Sequence, residues 1–273
     1  MTAKSVSQAT LPAVFVINLP RSLERREHVS AQLTAQGIPF SIHPAVDARE
    51  LCEESVREML GEVALRPQPF LGRRLTLGEI ACGLSHLTLY RRLLREGIEA
   101  AVLLEDDVDL APSFAAVLRG LVSAGRFEMV LLGHHSARHG YSVGAETSLA
   151  RRALHPAHAV ARVCEFAMGA YAYLVTRSAL AKLARHAEPL RMPADWVTGY
   201  APSAGVRQYA ITPPCAVPSE RFHAESEIGG REGGSAMPAP VRGIDPSLWR
   251  LGGKLFLAVR KLGFFPGSYS KRF

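Results

Sequence analysis

The stretch LLEDDVDL, residues 103–110, sets an apolar run directly before three consecutive carboxylates, Glu105, Asp106 and Asp107. Carboxylates this close repel one another, and a cation held among them relieves that repulsion. Oxygen donors suit a hard ion, Mg²⁺ or Mn²⁺, which takes one or two protein carboxylates and keeps its other positions for phosphate and water. An ion so placed stabilises a departing diphosphate. The competing reading is a solvated acidic loop after a strand, so the surrounding elements have to decide.

Residues 13–19 (AVFVINL) and 100–104 (AAVLL) are short, nearly continuous, β-branched-rich apolar runs. Such runs read as buried strands of a parallel sheet. Between them the spacing predicts a helix over 21–36, a strand over 38–43, and a basic Arg-Pro loop over 63–74. A capping box, Thr76 with Glu79, opens a long helix to residue 95. After the carboxylates, a helix follows Pro112 to residue 124, and strands are expected over 129–132, 170–175 and 209–212, with a helix over 178–186. The segment 133–162, with His134, His135, His139, His155 and His158, has no period and reads as irregular. Alternating strands and helices make this an α/β protein, and open α/β sheets bind ligands at the carboxyl ends of their strands, where Glu105 to Asp107 fall.

At 273 residues the chain is long enough for one large domain plus a tail. Boundaries are expected as a disordered start over 1–10, a domain over 11–232, a linker over 233–247 within Gly-, Pro- and Ala-rich sequence, and a basic amphipathic tail over 248–273. The net charge of +7 implies an anionic partner: nucleic acid, a membrane surface or a phosphorylated substrate. Basic residues are dispersed and aromatic content is only 7%, which argues against a single-strand nucleic-acid platform. Cys52, Cys82, Cys164 and Cys215 form no CxxC pair and have no His at zinc-finger spacing, so reduced thiols and no metal staple are expected. With no secretory signal and no long apolar span, a cytoplasmic location is expected, with the tail either on the inner face of the cytoplasmic membrane or packed on its own domain.

VINLPRSLERRE, LTLGEIACGLSHLTLYRRLL, LLEDDV and GAYAYLVTRSALAKL followed by PADW occur in that order between residues 14 and 228. Together they resemble glycosyltransferase family 25, whose bacterial members build lipopolysaccharide or lipooligosaccharide outer cores and which is related to the collagen galactosyltransferases. The resemblance implies a GT-A type fold, Mn²⁺ or Mg²⁺, a nucleotide-sugar donor, UDP-galactose above all, and inversion at the anomeric carbon.

Carried over by position, the resemblance implies that Asn18, Leu19, Arg21 and Arg25 line the donor nucleotide, at a strand end and helix start that favour phosphate. The competing reading of Arg21 and Arg25 is as surface helix residues paired with neighbours such as Glu24. Ser85 and His86 match the SH element, and Glu79 the GEI element, although Glu79 is also the capping-box acid and His86 reads as a core histidine. Glu105 to Asp107 match the family's acidic triplet, with Asp107 on the metal and Glu105 or Asp106 on the ribose. His223 is a candidate second metal ligand, and Ser226, Ile228 and Arg231 match the closing element, Arg231 as a phosphate contact. Asp195, Glu79 and Glu105 are the candidates for the base that an inverting transfer requires. His134 to His139 read as loop rather than zinc site.

The function expected is therefore metal-dependent transfer of a sugar to a lipid-linked oligosaccharide of the core. The rivals are the same fold acting on a protein or capsule acceptor, and a non-catalytic nucleotide-sugar- or nucleic-acid-binding protein.

Overall fold

The computed structural model describes residues 11–69, 71–125, 127–136 and 144–225, with side chains through Phe222. The expected disordered start, linker and tail, together with His139, Ser226, Ile228 and Arg231, lie outside the described residues.

In chain order the strands and α-helices are β1 (Ala13–Asn18), α1 (Leu23–Ala35), β2 (Phe40–Pro44), α2 (Glu53–Leu60), α3 (Leu77–Arg95), β3 (Ala100–Glu105), β4 (Val108–Leu110), α4 (Phe114–Ala124), β5 (Met129–Leu131) and β6 (His135–Ser136). There follow β7 (Thr147–His155), β8 (His158–Val163), β9 (Ala167–Met168), β10 (Ala172–Thr176), α5 (Arg177–Ala187), α6 (Ala194–Gly199), β11 (Gln208–Thr212) and β12 (Ala216–Pro218). Eight strands form one mixed sheet in the order β2-β1-β3-β10-β5-β11-β8-β7. Strands β2, β1 and β3 are parallel, and β10 runs against both β3 and β5. The α/β class, a large mixed sheet flanked by helices, is the one expected.

The continuous apolar runs of β1 and β3 follow from cover on both faces. Phe15, Ile17, Ala101 and Leu103 pack with Leu87, Tyr90 and Leu93 of α3 and with Leu180 and Leu183 of α5. The alternate residues Val14, Val16, Val102 and Leu104 pack with Val29 and Leu33 of α1 and with Phe114, Val117 and Leu121 of α4. Period-two alternation thus assigns each strand residue to one helix layer. A smaller cluster of Val56, Leu65, Leu75, Ile80 and Leu190 seats α2 against α3.

Helix α3 opens on the expected box: Thr76 Oγ1 accepts from the amide of Glu79 at 3.1 Å, and Glu79 Oε2 accepts from the amide of Thr76 at 2.9 Å. It stops before Gly97, whose φ of 69° is the left-handed conformation that suits glycine.

Residues 133–162 are not irregular throughout. They hold β6 and the β7/β8 hairpin, which closes the far edge of the sheet. Most of β7 is exposed and carries Arg151 and Arg152, the cover natural edge strands use against unwanted pairing, and this masks the apolar alternation a strand normally shows. The short antiparallel pair β4/β12 also escaped the sequence; it holds Ala216 against Leu110 and Pro218 against Val108.

Candidate active site

Strand β3 runs parallel to β1 with Ile17 beside Glu105, so both strands end on one edge and Asn18 meets the carboxylates there. Alternation then parts the acidic residues between the helix layers. Glu105 turns to the α3 side, where its Oε1 lies 3.1 Å from His86 Nε2. Asp106 turns to the α1 side and is buried; its Oδ2 accepts from Asn18 Nδ2 at 2.7 Å, and its Oδ1 lies 3.6 Å from Arg25 Nη1. Asp107 is more open and accepts from Arg25 Nη1 at 3.3 Å. One guanidinium therefore faces two carboxylates.

Charge balance in this cluster is incomplete. Burial pushes the Asp106 carboxyl up, against the pull of Asn18 and Arg25. The Asp107 carboxyl is pushed up to about 7 by burial and by the neighbouring Glu105 and Asp106 carboxylates. Among the described residues Arg25 supplies one positive charge where three acidic groups crowd, and a cation there would relieve their repulsion.

Asn18 points the same way. It is 1% exposed, its Nδ2 donates to Asp106 and to the carbonyl of Ser22 at 3.1 Å, and its Oδ1 is buried with no hydrogen-bond partner among the described residues. A buried acceptor left unsatisfied is costly, so a donor group or cation arriving there is favoured. The residues fit a hard cation on these two counts.

A second wall comes from the segment after β12. Ser219 donates its amide to the Asp107 carbonyl at 2.7 Å, and Phe222 sets its ring 5.3 Å from the Arg25 guanidinium and edge-on to His28. His28 Nε2 in turn lies 2.7 Å from Asp109 Oδ1. His223 follows Phe222 in the 3₁₀ turn Glu220–Glu225, but its side chain lies outside the described residues.

The other expected residues are distributed as follows. Arg21 is exposed and bonds Asp47, Nε to Oδ2 at 2.5 Å, and this hydrogen bond holds the Asp47 carboxyl below its usual range. Leu19 is half-buried in the turn that Ser22 closes by donating to its carbonyl at 2.8 Å. Ser85 is buried; it accepts from the amide of Val46 at 2.9 Å and donates to the Ala81 carbonyl at 2.7 Å, pinning the loop after β2 to α3. Glu79, 2% exposed, takes Arg73 Nη1 and Nη2 at 2.7 Å each besides the Thr76 amide, so both its oxygens are committed.

Asp195 opens α6, half-buried. This helix belongs to the carboxylate edge: Thr198 Oγ1 donates to the Gly169 carbonyl at 3.3 Å, and the Tyr171 carbonyl two residues on accepts from the amide of Glu105 at 2.9 Å.

Three participants were missed in the sequence. His86 Nδ1 lies 2.9 Å from the Tyr173 hydroxyl, which lies 2.6 Å from that of Tyr90, and both phenols are fully buried, which pushes their pKa values up. Cys82 stands one helical turn before His86, with its thiol near both His86 and Glu105. The four-residue spacing within GEIACGLSH was the available signal; nothing in sequence marks Tyr173. Among the histidines, His134 accepts the Ala145 amide on Nδ1 at 2.9 Å and so donates Nε2–H to the Ile211 carbonyl at 2.8 Å, a structural role. No disulfide links Cys52, Cys82, Cys164 and Cys215, as expected.

Comparison with known proteins shows what the chain is similar to. The chain is 33% identical over 134 residues to a glycosyltransferase 25 family member of Drosophila melanogaster, covering 46% of this chain and 22% of that one. It is 34% identical over 122 residues to procollagen galactosyltransferase 1 of Danio rerio, covering 44% and 20%. To the inactive glycosyltransferase 25 family member 3 of Homo sapiens it is 33% identical over 123 residues, covering 44% and 20%. The chain thus spans about a fifth of the length of these relatives. A solved glycosyltransferase involved in glycosylating the major capsid of PBCV-1 aligns over 68% of this chain and 69% of its own, with 13% identity and a TM-score of 0.35. The profile described as glycosyltransferase family 25 (LPS biosynthesis protein) matches residues 11–198, more than half of the sequence, including β1, α1, α3 and β3. On that match the chain belongs to glycosyltransferase family 25.

Proposed function

We propose that this chain transfers a sugar from a nucleotide-sugar donor to an acceptor hydroxyl, with the donor diphosphate and a hard divalent cation, Mn²⁺ or Mg²⁺, at the Asp107 end of β3. The observation that carries this reading is the run of Glu105, Asp106 and Asp107 at the end of β3, two of them facing the Arg25 guanidinium, with the buried Oδ1 of Asn18, which has no hydrogen-bond partner among the described residues, beside them. When bound, the cation neutralises charge developing on the leaving diphosphate.

Asp107 is the proposed protein ligand to the cation, with His223 as a second. Arg25 steadies Asp106 and Asp107 from the α1 side, and Phe222 covers it. Asn18 and Asp106, joined by a hydrogen bond, are proposed to meet the ribose, and Ser85 and His86 to line the donor site from α3. Arg21 and Arg231 are proposed phosphate contacts, and Leu19 is proposed to back the nucleotide.

An inverting transfer needs one carboxylate to take the acceptor proton as the sugar leaves with positive character at its anomeric carbon. Glu79 is committed to Arg73 and to the cap of α3, and Glu105 faces His86. Asp195, in the first turn of α6, is the carboxylate we propose as the base. Asp195→Asn is expected to lower kcat by about 10²–10⁴, with donor affinity within twofold of wild type; an unchanged kcat would remove it from that role.

The donor proposed is UDP-galactose and the acceptor a lipopolysaccharide or lipooligosaccharide core. Supporting this are the wording of the matching family description and the galactosyltransferase among the relatives. No described helix is long and apolar enough to cross a membrane, and residues 248–273 are proposed to lie on the inner face of the cytoplasmic membrane beside a lipid-linked acceptor. The test is donor turnover across UDP-, GDP- and CMP-sugars with and without Mn²⁺, followed by mass spectrometry of the product. Metal-dependent use of one UDP-sugar supports the reading, and no turnover by well-folded protein points to the non-catalytic branch that some relatives represent.

A further inference from the structure

We propose a second metal site, separate from the hard-cation position at Asp107: Cys82 Sγ, His86 Nε2 and a Glu105 carboxylate oxygen form a three-ligand pocket for Zn²⁺ or a similar borderline ion. One ligand atom from each of the three residues lies within 4.8 Å of the other two, and of the histidine nitrogens it is Nε2 that faces Glu105 Oε1, at 3.1 Å, while Nδ1 faces Tyr173. Bonds of about 2.0–2.3 Å to tetrahedral zinc would place such atoms about 3.3–3.8 Å apart, so the three side chains need close only slightly. Cys82 and His86 are four residues apart on α3 and share one face, while Glu105 is brought against that face by β3.

The ligand types select the ion. A thiolate beside an imidazole and a carboxylate suits zinc and disfavours Mg²⁺ or Ca²⁺, which want oxygen alone. Three protein ligands leave a fourth position, and Glu105, 28% exposed, keeps the pocket within reach of solvent.

The surroundings supply what a metal-bound histidine needs on its other nitrogen. His86 Nδ1 is 2.9 Å from Tyr173 Oη, and Tyr173 Oη is 2.6 Å from Tyr90 Oη. Without metal, Tyr90 donates to Tyr173, Tyr173 to Nδ1, and Nε2–H to Glu105. With metal the chain reverses: Nδ1–H donates to Tyr173 and Tyr173 to Tyr90, freeing the Nε2 lone pair. The number of protons on these three groups is the same in both states. The one proton that leaves is that of Cys82: its S–H bond breaks, a sulfur–metal bond forms, and the proton passes to solvent.

The test uses the full chain stripped of metal, titrated with Zn²⁺ by calorimetry and with Co²⁺ by absorption. Expected are one equivalent bound, release of about one proton per zinc below the thiol pKa, and a thiolate-to-cobalt charge-transfer band. Cys82→Ser abolishes the band, whereas Cys52→Ser, at the exposed cysteine, and Asp107→Ala keep it. Tyr173→Phe weakens zinc binding by about 10–100-fold. If Cys82→Ser is not folded by circular dichroism, His86→Gln takes its place, with loss of the tetrahedral cobalt spectrum as the expected result. Absence of binding, a band that survives Cys82→Ser, or a band lost in Cys52→Ser would overturn the site.

Discussion

At the residue scale, the same side chain often had two readings, and the structure distinguishes them by what each atom touches. Glu79 is the clearest. Its position in GEI marked it both as a capping residue and as a catalytic carboxylate, and the bidentate Arg73 pair with the Thr76 amide shows the first role in full. Glu79→Gln is therefore expected to lower stability by about 1–3 kcal/mol in denaturant melts while leaving kcat of the folded fraction within threefold; a hundredfold loss of kcat at unchanged stability would make it a catalytic group. The acidic triplet itself was legible, because an apolar strand running into carboxylates is a sequence pattern. That Glu105 and Asp106 turn to opposite helix layers was legible only in principle, from period-two alternation. The partners Tyr173, Phe222 and Arg73 were not, since each arrives from a distant element or an aperiodic loop.

At the element scale, strands buried on both faces and helices with clear caps were readable: β1, α1, α3, β3 and α5 fall where the apolar period and the stop signals put them. The β7/β8 hairpin was not, because an edge strand buries too little to show alternation. How the elements are pinned also shows in single polar groups. Glu128, just before β5, accepts from Ser178 Oγ at 3.1 Å and the Arg207 amide at 3.0 Å and pairs with Lys182, joining β5 to α5 and to the start of β11. Burial alone would push its carboxyl up, but Lys182, the Arg207 amide and Ser178 outweigh this and hold the pKa below the ordinary 4.5. A lowered folded-state pKa means that the unfolded chain binds the proton first, so this contribution is complete above about 4.5 and fades as pH falls through the folded-state value. Wild type should lose more stability than Glu128→Gln between pH 6 and pH 3 in thermal melts; parallel losses would show that the cluster contributes nothing through ionisation.

At the scale of the whole molecule, a net charge of +7 and a basic amphipathic segment over 248–273 pointed to an anionic, membrane-bound acceptor. Removal of residues 241–273 is expected to abolish flotation with anionic vesicles while donor turnover on a soluble acceptor persists; unchanged flotation would end the membrane role of the tail. Acceptor choice was the least legible property, because loops usually govern it and segments such as 63–74 carry no period. Everything else turns on the carboxylate edge of the sheet, and the most direct measurement is calorimetric binding of UDP with and without Mn²⁺ to wild type and Asp107→Ala. Mn²⁺-dependent binding to wild type, lost in the variant with its fold intact by circular dichroism, is the expected result; equal binding by both proteins, or binding indifferent to Mn²⁺, would contradict a metal-assisted donor site at Asp107.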